Sequence, residues 1–345
     1  MFIKIREKKI GLNYPPYIIA EACINHEGKI KLAKEMIYQA KKNGVDCVKF
    51  QYHILDDEML RYAPKSSNFE EDLYTTLKKT NLTLNEHIEL KKFCEKNQIH
   101  YLCTPFSKKS VDILKRNLKV DFYKTGSGEL TNLPFQIHVA KQKKPVIIST
   151  GMSNMEEITK TINLVKKINK NIILTQCTSI YPCPSHLTGI ELIPILRKRF
   201  RVITGLSDHS NSIYSSLGAI ALGASIIEKH FTLNKSAKGP DHASSIEPNE
   251  LRELVIGAKE IYNSKKLKIK KILKEEKQII NWARESVVTT ENILKGEKLS
   301  EKNISTKRPS AKKKEIESKN YYKVLGKKAK KNIKKNKILN WTDLI

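Results

Sequence analysis

Short apolar runs alternate with amphipathic stretches along the first three quarters of the chain. The amphipathic stretches, such as "KLAKEMIYQAKKNG" and "NMEEITKTINLVKKIN", carry apolar residues at the three- and four-residue spacing of a helix. Eight apolar runs are predicted as strands: "YIIAEA" (17–22), "VDCVKF" (45–50), "HYLCTP" (100–105), "DFYKTG" (121–126), "PVIIST" (145–150), "NIILTQ" (171–176), "RVITGL" (201–206) and "SIIEKH" (225–230). Eight strands that alternate with helices predict an α/β fold, the (β/α)8 TIM barrel. An open doubly wound sheet is the alternative, but no strand leads into a Gly-x-Gly-x-x-Gly turn.

The pattern changes after residue 262, and this predicts a division of the chain into three parts. Residues 1–262 are predicted as the barrel domain. Residues 263–283 form a Lys-rich helical stretch with little apolar face, which we interpret as a linker. Residues 284–345 contain short strands and Lys-led turns but no long helix, which is typical of a small β-rich module.

The net charge of +28 is typical of proteins that bind nucleic acid or a membrane surface. The lysines are spread thinly, although the chain from Asn263 onward is denser, with 25 Lys+Arg against 9 Asp+Glu, or 25 − 9 = +16. No basic motif is interleaved with aromatic residues that would stack on bases. We therefore expect solvated lysine faces, with neither a nucleic-acid nor a membrane partner.

The placement of apolar residues and cysteines bears on the compartment. No apolar run approaches the roughly 18 residues that a membrane span needs, and the N-terminus lacks the apolar segment of a signal peptide. Six cysteines are scattered without a Cys-x-x-Cys pair. These features predict a cytoplasmic protein with reduced thiols.

Polar residues follow every predicted strand, at the carboxyl end where barrel enzymes build their active sites. They are Glu21, Lys49 with Gln51, Thr104, Lys124 with Ser127 and Glu129, Ser149, Ser179 with Tyr181, Ser207 with His209, and Glu228 with His230. A purely structural barrel has little reason to place ionisable groups there repeatedly. The pattern therefore predicts an active site at this end.

Two histidines end neighbouring strands in "GLSDHS" and "EKH". Strands seven and eight are adjacent in a barrel, so His209 and His230 are expected to face one divalent metal ion, with a carboxylate or water completing its shell. Two histidines about twenty residues apart are otherwise more often core or surface residues.

Lys49 and Lys124 end apolar strands, where a lysine must be paired or must hold an anion. We interpret them as clamps for phosphate or carboxylate, with an ion pair to Glu21 as the structural alternative. The turn "TGSGE" (125–129) can bring backbone N–H groups close to an anion. Asp241, in "KGPDHASSIEP", either stabilises its own turn or contacts substrate.

These motifs together resemble those of the sialic acid synthases, enzymes that condense phosphoenolpyruvate with an N-acetylmannosamine-type sugar. The similarity runs in order through "IIAEACINHEGKIKLAKEMI", "DCVKFQ", "TPFS", "YKTGSGELTNLP", "ISTGMS", "CTSIYPCP", "GLSDHS", "EKHFTL" and "GPDHASSIEP". In the tail, "ESVVTTENILKGEKLSEKNISTKRP" resembles the antifreeze-like (SAF) domain of that family. The resemblance covers nearly the whole chain.

The resemblance implies a TIM barrel followed by a small β-clip SAF domain, which covers the partner's active site in a domain-swapped homodimer. It implies His209 and His230 as metal ligands, with Mn²⁺ as the expected ion and Mg²⁺ or Co²⁺ as alternatives. It implies catalytic roles for Glu21, Glu129 and Lys124. It implies substrate contacts from Lys49, Gln51, Thr104, Ser127, Ser149, Ser179, Tyr181, Ser207, Asp241, Trp282 and Arg308. Judged from the residues alone, Arg308 would be a solvated side chain.

Three departures from the family pattern affect substrate contacts. Ser179 stands where some members have asparagine, Trp282 stands near a frequent phenylalanine, and "KRPSAKKKEI" replaces a glycine-rich continuation after Arg308. The resemblance leaves the acceptor open between N-acetylmannosamine, its 6-phosphate and 2,4-diacetamido-2,4,6-trideoxymannose, the precursor of legionaminic acid. A hypothesis of another class is a non-catalytic basic barrel that binds an anionic glycan or nucleic acid.

Overall fold

A computed structural model describes residues 1–62 and 71–345 of the chain. The chain divides into two compact units, Met1–Lys266 and Leu267–Ile345. A β-hairpin opens the first unit, with strands β1 Ile3–Ile5 and β2 Lys8–Ile10. The strands of the main sheet follow: β3 Tyr17–Glu21, β4 Cys47–Tyr52, β5 His100–Pro105, β6 Tyr123–Thr125, β7 Val146–Ser149, β8 Ile172–Cys177, β9 Ile203–Asp208 and β10 Ile226–His230.

The eight strands β3 to β10 are parallel and form one sheet in the order β5-β4-β3-β10-β9-β8-β7-β6. The two end strands, β5 and β6, lie against each other, so the sheet is rolled into a barrel. Helices surround it: α1 Ile30–Lys42, α2 Leu55–Glu58, α3 Leu73–Thr80, α4 Leu84–Lys96, α5 Lys108–Ile113, α6 Leu133–Ala140, α7 Met155–Ile168, α8 Leu192–Phe200, α9 Tyr214–Ala221 and α10 Pro248–Ser264. The predicted (β/α)8 barrel is confirmed.

Local sequence signals set where the longer helices begin. Thr83 and Glu86 form a capping box at the start of α4, and Asn154 and Glu157 form another at the start of α7. Each box satisfies backbone N–H groups that a helix start leaves without partners. The buried residues of α7 (Ile158, Thr161, Ile162 and Val165) recur at helical spacing, so that one face packs on the sheet.

The alternation of side chains along each strand separates two layers of core. Outward-facing residues such as Ile18 and Val48 pack against the helices in one large cluster. Inward-facing residues such as Ile19 and Phe122 fill the lower part of the barrel together with the hairpin residue Ile5. Since side chains repeat every two residues along a strand, the next inward positions lie one layer higher, towards the carboxyl ends.

The second unit is small and β-rich, as predicted. It contains helix α11 Lys277–Ala283, the antiparallel strands β11 Ser286–Thr289 and β12 Ile304–Lys307, and the short helix α12 Tyr321–Val324. Two similar segments, "ENILKGEKLS" and "KNIKKNKILN", meet at a bridge between Ile293 and Ile333. The core of the second unit consists of aliphatic residues including Val287, Leu299 and Leu339. A separate linker over 263–283 remains a prediction.

Among the helices of the described residues, none combines the length and the apolar character required to cross a membrane. All six cysteines are buried free thiols.

Candidate functional site

A cavity of about 620 Å³ opens at the carboxyl ends of the barrel strands. Every barrel residue predicted as part of the site lines it: Glu21, Lys49, Gln51, Thr104, Lys124, Ser127, Glu129, Ser149, Ser179, Tyr181, Ser207, His209, His230 and Asp241. Their position follows from the strand period. Glu21 comes two residues after the inward Ile19, and Lys124 comes two residues after the inward Phe122.

A cluster of buried charges forms the floor of the cavity. The Lys49 ammonium lies 2.7 Å from Glu21 Oε2 and 3.0 Å from Glu228 Oε1. The Lys124 ammonium lies 3.4 Å from the same Glu228 oxygen, and the Ser207 hydroxyl donates a hydrogen bond to it at 2.8 Å. Both lysines are therefore paired with carboxylates while they face the cavity, so the structural alternative for Lys49 and the anion-binding role are compatible.

Burial shapes the protonation of this cluster. It lowers the pKa of Lys49 to about 8, although Glu228 partly opposes the effect. Burial alone would raise the pKa of Glu228, but Lys124 and Lys49 hold it well below its usual range. Glu228 thus stays ionised, and it partly offsets the effect of burial on Lys49.

Small hydroxyl groups line the cavity above strands β6 to β8. The Ser127 hydroxyl donates to Ser149 Oγ at 3.1 Å and lies 3.4 Å from Cys177 Sγ. A Cβ at Gly151 would lie 2.3 Å from Ser179 Oγ and 2.6 Å from Ser127 Oγ, so only glycine permits this close approach. The hydroxyls can donate hydrogen bonds to an anion beside the lysines.

Two histidines and a tyrosine form an aromatic group on the side of β9 and β10. His209 stacks on Tyr181 with ring centroids 4.1 Å apart, and the rings of His209 and His230 are 5.3 Å apart. His209 Nδ1 donates to the Thr178 carbonyl at 2.8 Å, which leaves Nε2 to accept from the Tyr181 hydroxyl at 3.1 Å. The two predicted metal-binding histidines are thus brought together.

The two histidines differ in their readiness to bind a cation. Burial, together with His209 and Lys49, holds the pKa of His230 well below its usual range, so this imidazole is neutral. Burial also disfavours the charged form of His209, but the adjacent Cys177 outweighs it and raises the pKa of His209. The charged form is therefore less disfavoured at His209 than at His230.

Three residues of the cavity form a group that could hold a divalent metal ion: Cys23, His230 and Asp241. One ligand atom from each lies within 4.8 Å of the other two. The Nδ1 atom of His230 is buried and has no hydrogen-bond partner among the described residues. This donor set and the unpartnered nitrogen fit a divalent cation, and His230 is common to this group and to the predicted pair.

Glu129 stands out among the carboxylates. Burial raises its pKa to about 7, although Lys124 opposes the effect. Its Oε2 atom is buried without a hydrogen-bond partner in the described part of the chain. A carboxyl group with such a pKa can take up or release a proton near neutral pH.

One side of the cavity is apolar. Ile24, Met59, Leu73 and Leu77, which we call the apolar wall, line the cavity and belong to one hydrophobic cluster. Near it, His53 Nδ1 lies 2.6 Å from Glu58 Oε1. The cavity therefore offers a ligand both an apolar surface and a ring of polar groups.

The last two predicted residues, Trp282 and Arg308, belong to the second unit. The Arg308 guanidinium lies over the Trp282 ring, 5.9 Å from its centroid. The Trp282 side chain is 59% exposed. Both are thus available at the surface of that unit.

Sequence reasoning placed Glu228 among the polar strand-end residues but gave it no role, and it missed Cys23 and His53 as members of the site. Glu228 faces the cavity because it lies two residues after the inward Ile226, as Glu21 does after Ile19. Cys23 resembles a small core residue in the sequence. The pairing of His53 with Glu58 depends on the four-residue helix α2, which gives no periodic signal.

The fold and the cavity define a class: a TIM-barrel enzyme whose cavity combines buried lysines with a group of side chains that could hold a metal ion. In a comparison with protein-family models, the NeuB family matches residues 36–270 and the SAF domain matches residues 284–345. The chain belongs to the NeuB family. This confirms the resemblance to the sialic acid synthases and the assignment of the antifreeze-like domain.

Curated relatives and solved structures agree with this membership. The N,N'-diacetyllegionaminic acid synthase of Campylobacter jejuni is 40% identical over 93% of this chain and 98% of its own length. The human N-acetylneuraminate-9-phosphate synthase is 36% identical over 71% of this chain and 70% of its own. The structure of the sialic acid synthetase of Leptospira borgpetersenii, in complex with citrate, matches with a TM-score of 0.72 at 30% identity, over 81% of this chain and 95% of that one.

Proposed function

We propose that this protein is a nonulosonic acid synthase that condenses phosphoenolpyruvate with an open-chain N-acetylmannosamine-type sugar and releases inorganic phosphate. The observation that carries the proposal is the meeting, in one cavity, of Lys49 and Lys124 with the metal-competent group around His230. The two lysines can hold the phosphate and carboxylate of phosphoenolpyruvate. The group around His230 can hold the sugar aldehyde within reach of it.

Phosphoenolpyruvate carries a phosphate and a carboxylate, and two lysines match two anionic groups. Lys49 and Lys124 are only 4% and 2% exposed, so their charges are poorly screened by water. Ser149 supplies a hydroxyl donor near them, and Ser127 and Ser207 can add theirs when their hydroxyls turn from Ser149 and Glu228 towards the anion. We assign this floor to phosphoenolpyruvate.

The reaction joins C3 of phosphoenolpyruvate to the aldehyde carbon of the sugar, which leaves positive charge at C2. A divalent cation at His230, with His209 and Asp241 as further donors, would polarise the aldehyde oxygen when bound. Water adds to C2, and the tetrahedral intermediate loses phosphate by cleavage of the C2–O bond. The products are a 2-keto acid and inorganic phosphate.

Glu129 is our candidate for the proton transfer. The attacking water must lose a proton, and the sugar oxygen must gain one. A pKa of about 7 suits both directions, whereas Glu21 forms an ion pair with Lys49 at 2.7 Å. We therefore assign the proton transfer to Glu129 and the positioning of Lys49 to Glu21. Lys124 would act by charge rather than as a covalent nucleophile, because phosphoenolpyruvate is already an activated enol.

We favour 2,4-diacetamido-2,4,6-trideoxymannose as the acceptor. The apolar wall offers a surface for a C6 methyl group, whereas a 6-phosphate would require further cations there. The similarity to the N,N'-diacetyllegionaminic acid synthase of Campylobacter jejuni supports this choice. N-acetylmannosamine, with a C6 hydroxyl, is the second candidate, because the wall lies in a cavity that is also lined by polar groups.

We also propose that two chains form a domain-swapped homodimer, in which the SAF domain of one completes the cavity of the other. The exposed pair of Arg308 and Trp282 supports this, since an exposed cation over an indole is suited to contact an acyl group. The six free thiols support the prediction of a reducing, cytoplasmic setting.

The test is phosphate release from phosphoenolpyruvate with Mn²⁺ and each sugar in turn, with and without a chelator. We expect release with the trideoxy sugar, loss of release in His230→Ala, and full release in the exposed-histidine control His186→Ala. Release with N-acetylmannosamine only would move the assignment to a sialic acid synthase. Release with neither sugar from folded protein would reject the proposal in favour of a non-catalytic barrel.

A further inference from the structure

We infer that Cys23 is a metal ligand of this cavity, so that Cys23, His230 and Asp241 form a mixed sulfur, nitrogen and oxygen site. Such a site prefers thiophilic cations such as Zn²⁺, Co²⁺ and Cd²⁺ to Mg²⁺ and Mn²⁺. The inference rests on the proposed function for the place of the metal, and it adds a ligand and a preference among metals.

The first observation is geometric. Sulfur, imidazole nitrogen and carboxylate oxygen lie within 4.8 Å of one another, on a loop after β3, at the end of β10 and on the loop that follows β10. Zinc binds such atoms at about 2.3 Å for sulfur and about 2.0–2.2 Å for nitrogen and oxygen. Small rotations of the three side chains would bring them to those distances from one ion.

The second observation is the unpartnered nitrogen. His230 is only 7% exposed, and its Nδ1 accepts or donates no hydrogen bond among the described residues. A buried polar atom without a partner is costly unless a ligand satisfies it. The position of His230 beside Cys23 and Asp241 identifies a cation as the suitable ligand.

The third observation is the backbone of Cys23. Its φ is +44°, in the left-handed region that favours glycine. A thiol at this position carries a steric cost that glycine would avoid, yet it places the sulfur beside Asp241. The alternative is that the thiol serves only as packing for Ile24 and Leu77, with which it shares a hydrophobic cluster.

His209 offers a fourth donor, since its ring lies 5.3 Å from that of His230. An ion bound by Cys23, His209, His230 and Asp241 would have a closed tetrahedral shell, whereas a catalytic metal needs an open position. A hard ion such as Mn²⁺ has weak affinity for sulfur and would leave the thiol unbound. An ion that binds the thiol would therefore have a closed shell, whereas an ion that leaves the thiol unbound would keep one position open for catalysis.

The test is titration of the full-length, reduced protein with Co²⁺, monitored by the near-ultraviolet absorption of a thiolate-to-cobalt bond. We expect this band in the wild type and in Cys94→Ala, whose sulfur lies in the helix layer away from the cavity. We expect its loss in Cys23→Ser and in Cys23→Gly, the latter a substitution that the left-handed backbone accepts without strain. Affinity for Cd²⁺ should fall about tenfold or more in both, with Mn²⁺ affinity changed little.

Three outcomes would overturn the inference: no band in the wild type, a band that persists in the Cys23 variants, or a band lost only in Cys177→Ser. The last would identify Cys177, which lies 3.8 Å from His209, as the sulfur ligand. The result is independent of turnover. A Cys23-dependent band without reaction on either sugar would reject the proposed function alone, and turnover without the band would reject the inference alone.

Discussion

The Lys49 ammonium lies 3.0 Å from Glu228 Oε1, and both side chains are buried at the carboxyl ends of strands β4 and β10. Glu228 also neutralises Lys124 at 3.4 Å. Glu228, together with Glu21 at 2.7 Å from Lys49, thus balances two lysines that would otherwise repel each other in a desolvated place. This arrangement holds the floor of the cavity together, where we propose that phosphoenolpyruvate binds.

Glu228→Gln should therefore destabilise the protein and make its stability depend on anions. Removal of one partner of a buried ion pair costs about 3 kcal/mol or more of unfolding free energy. We expect millimolar inorganic phosphate to raise the unfolding free energy of the variant by more than it raises that of the wild type. Urea unfolding with and without phosphate measures both effects.

Glu250→Gln is the matched control, because Glu250 pairs with Lys235 at a partly exposed position. Its removal should cost no more than about 1 kcal/mol, with no added response to phosphate. Equal behaviour of the two variants would show that Glu228 does not balance the buried lysines.

The proposed role of Glu129 as a base predicts how kcat/KM depends on pH on the acidic side (the acidic limb) of its profile. If it takes the water proton, kcat/KM should rise with pH up to about pH 7, following the ionisation of a group whose pKa burial has raised to about 7. Glu129→Gln should lower kcat by about 10²–10⁴-fold and remove that limb. A variant that keeps both the rate and the limb would exclude Glu129 as the base.

The same shift in pKa predicts a difference in stability. The folded carboxyl group binds its proton more tightly than the unfolded one, so its contribution is present below pH 4.5 and is lost as the pH rises through about 7. The side chain is partly open to the cavity, so we expect a loss of about 2 kcal/mol in the wild type over this range, absent in Glu129→Gln. Unfolding curves at several pH values measure it.

The apolar wall predicts specificity for the acceptor. Leu73→Asn places an amide where we expect the C6 methyl group, and kcat/KM for the trideoxy sugar should fall about tenfold. N-acetylmannosamine should lose less, because its C6 hydroxyl tolerates a polar neighbour. Leu60→Asn is the control, since Leu60 is 62% exposed and does not line the cavity. An equal loss for both sugars would show that the wall does not distinguish them.

The proposed domain swap predicts complementation between two inactive variants. Arg308→Ala lacks the guanidinium of the SAF domain, and His230→Ala lacks the proposed metal ligand of the barrel. After co-refolding in equal amounts, half of the dimers are mixed and one of their two sites is intact, so about one quarter of wild-type activity should return. If each chain completes its own cavity, the mixture should stay as inactive as its components.

Much of this site follows from the period of a β-strand. The apolar runs are long enough to identify the strands, and Lys49, Lys124 and His230 lie at inward positions at their ends. Properties of the turns and short helices do not follow in this way. The left-handed backbone of Cys23 and the contact of His53 with Glu58 depend on how the chain leaves β3 and β4, and no repeating pattern records that.

The roles of two predicted carboxylates could be distinguished only in the folded chain. In the sequence, Glu21 and Glu129 are equivalent carboxylates at strand ends. In the structure, Glu21 forms an ion pair with Lys49 at 2.7 Å, whereas Glu129 forms no ion pair within 4.0 Å among the described residues. Their protonation depends on neighbours that come from different strands.

The most direct test of the proposed reaction uses phosphoenolpyruvate labelled with ¹⁸O in the bridge between C2 and phosphorus. After turnover with the trideoxy sugar, cleavage of the C2–O bond predicts ¹⁸O in the inorganic phosphate and solvent oxygen at the new keto group, both measured by mass spectrometry. Label retained in the organic product would mean cleavage of the P–O bond, and it would contradict the addition of water at C2.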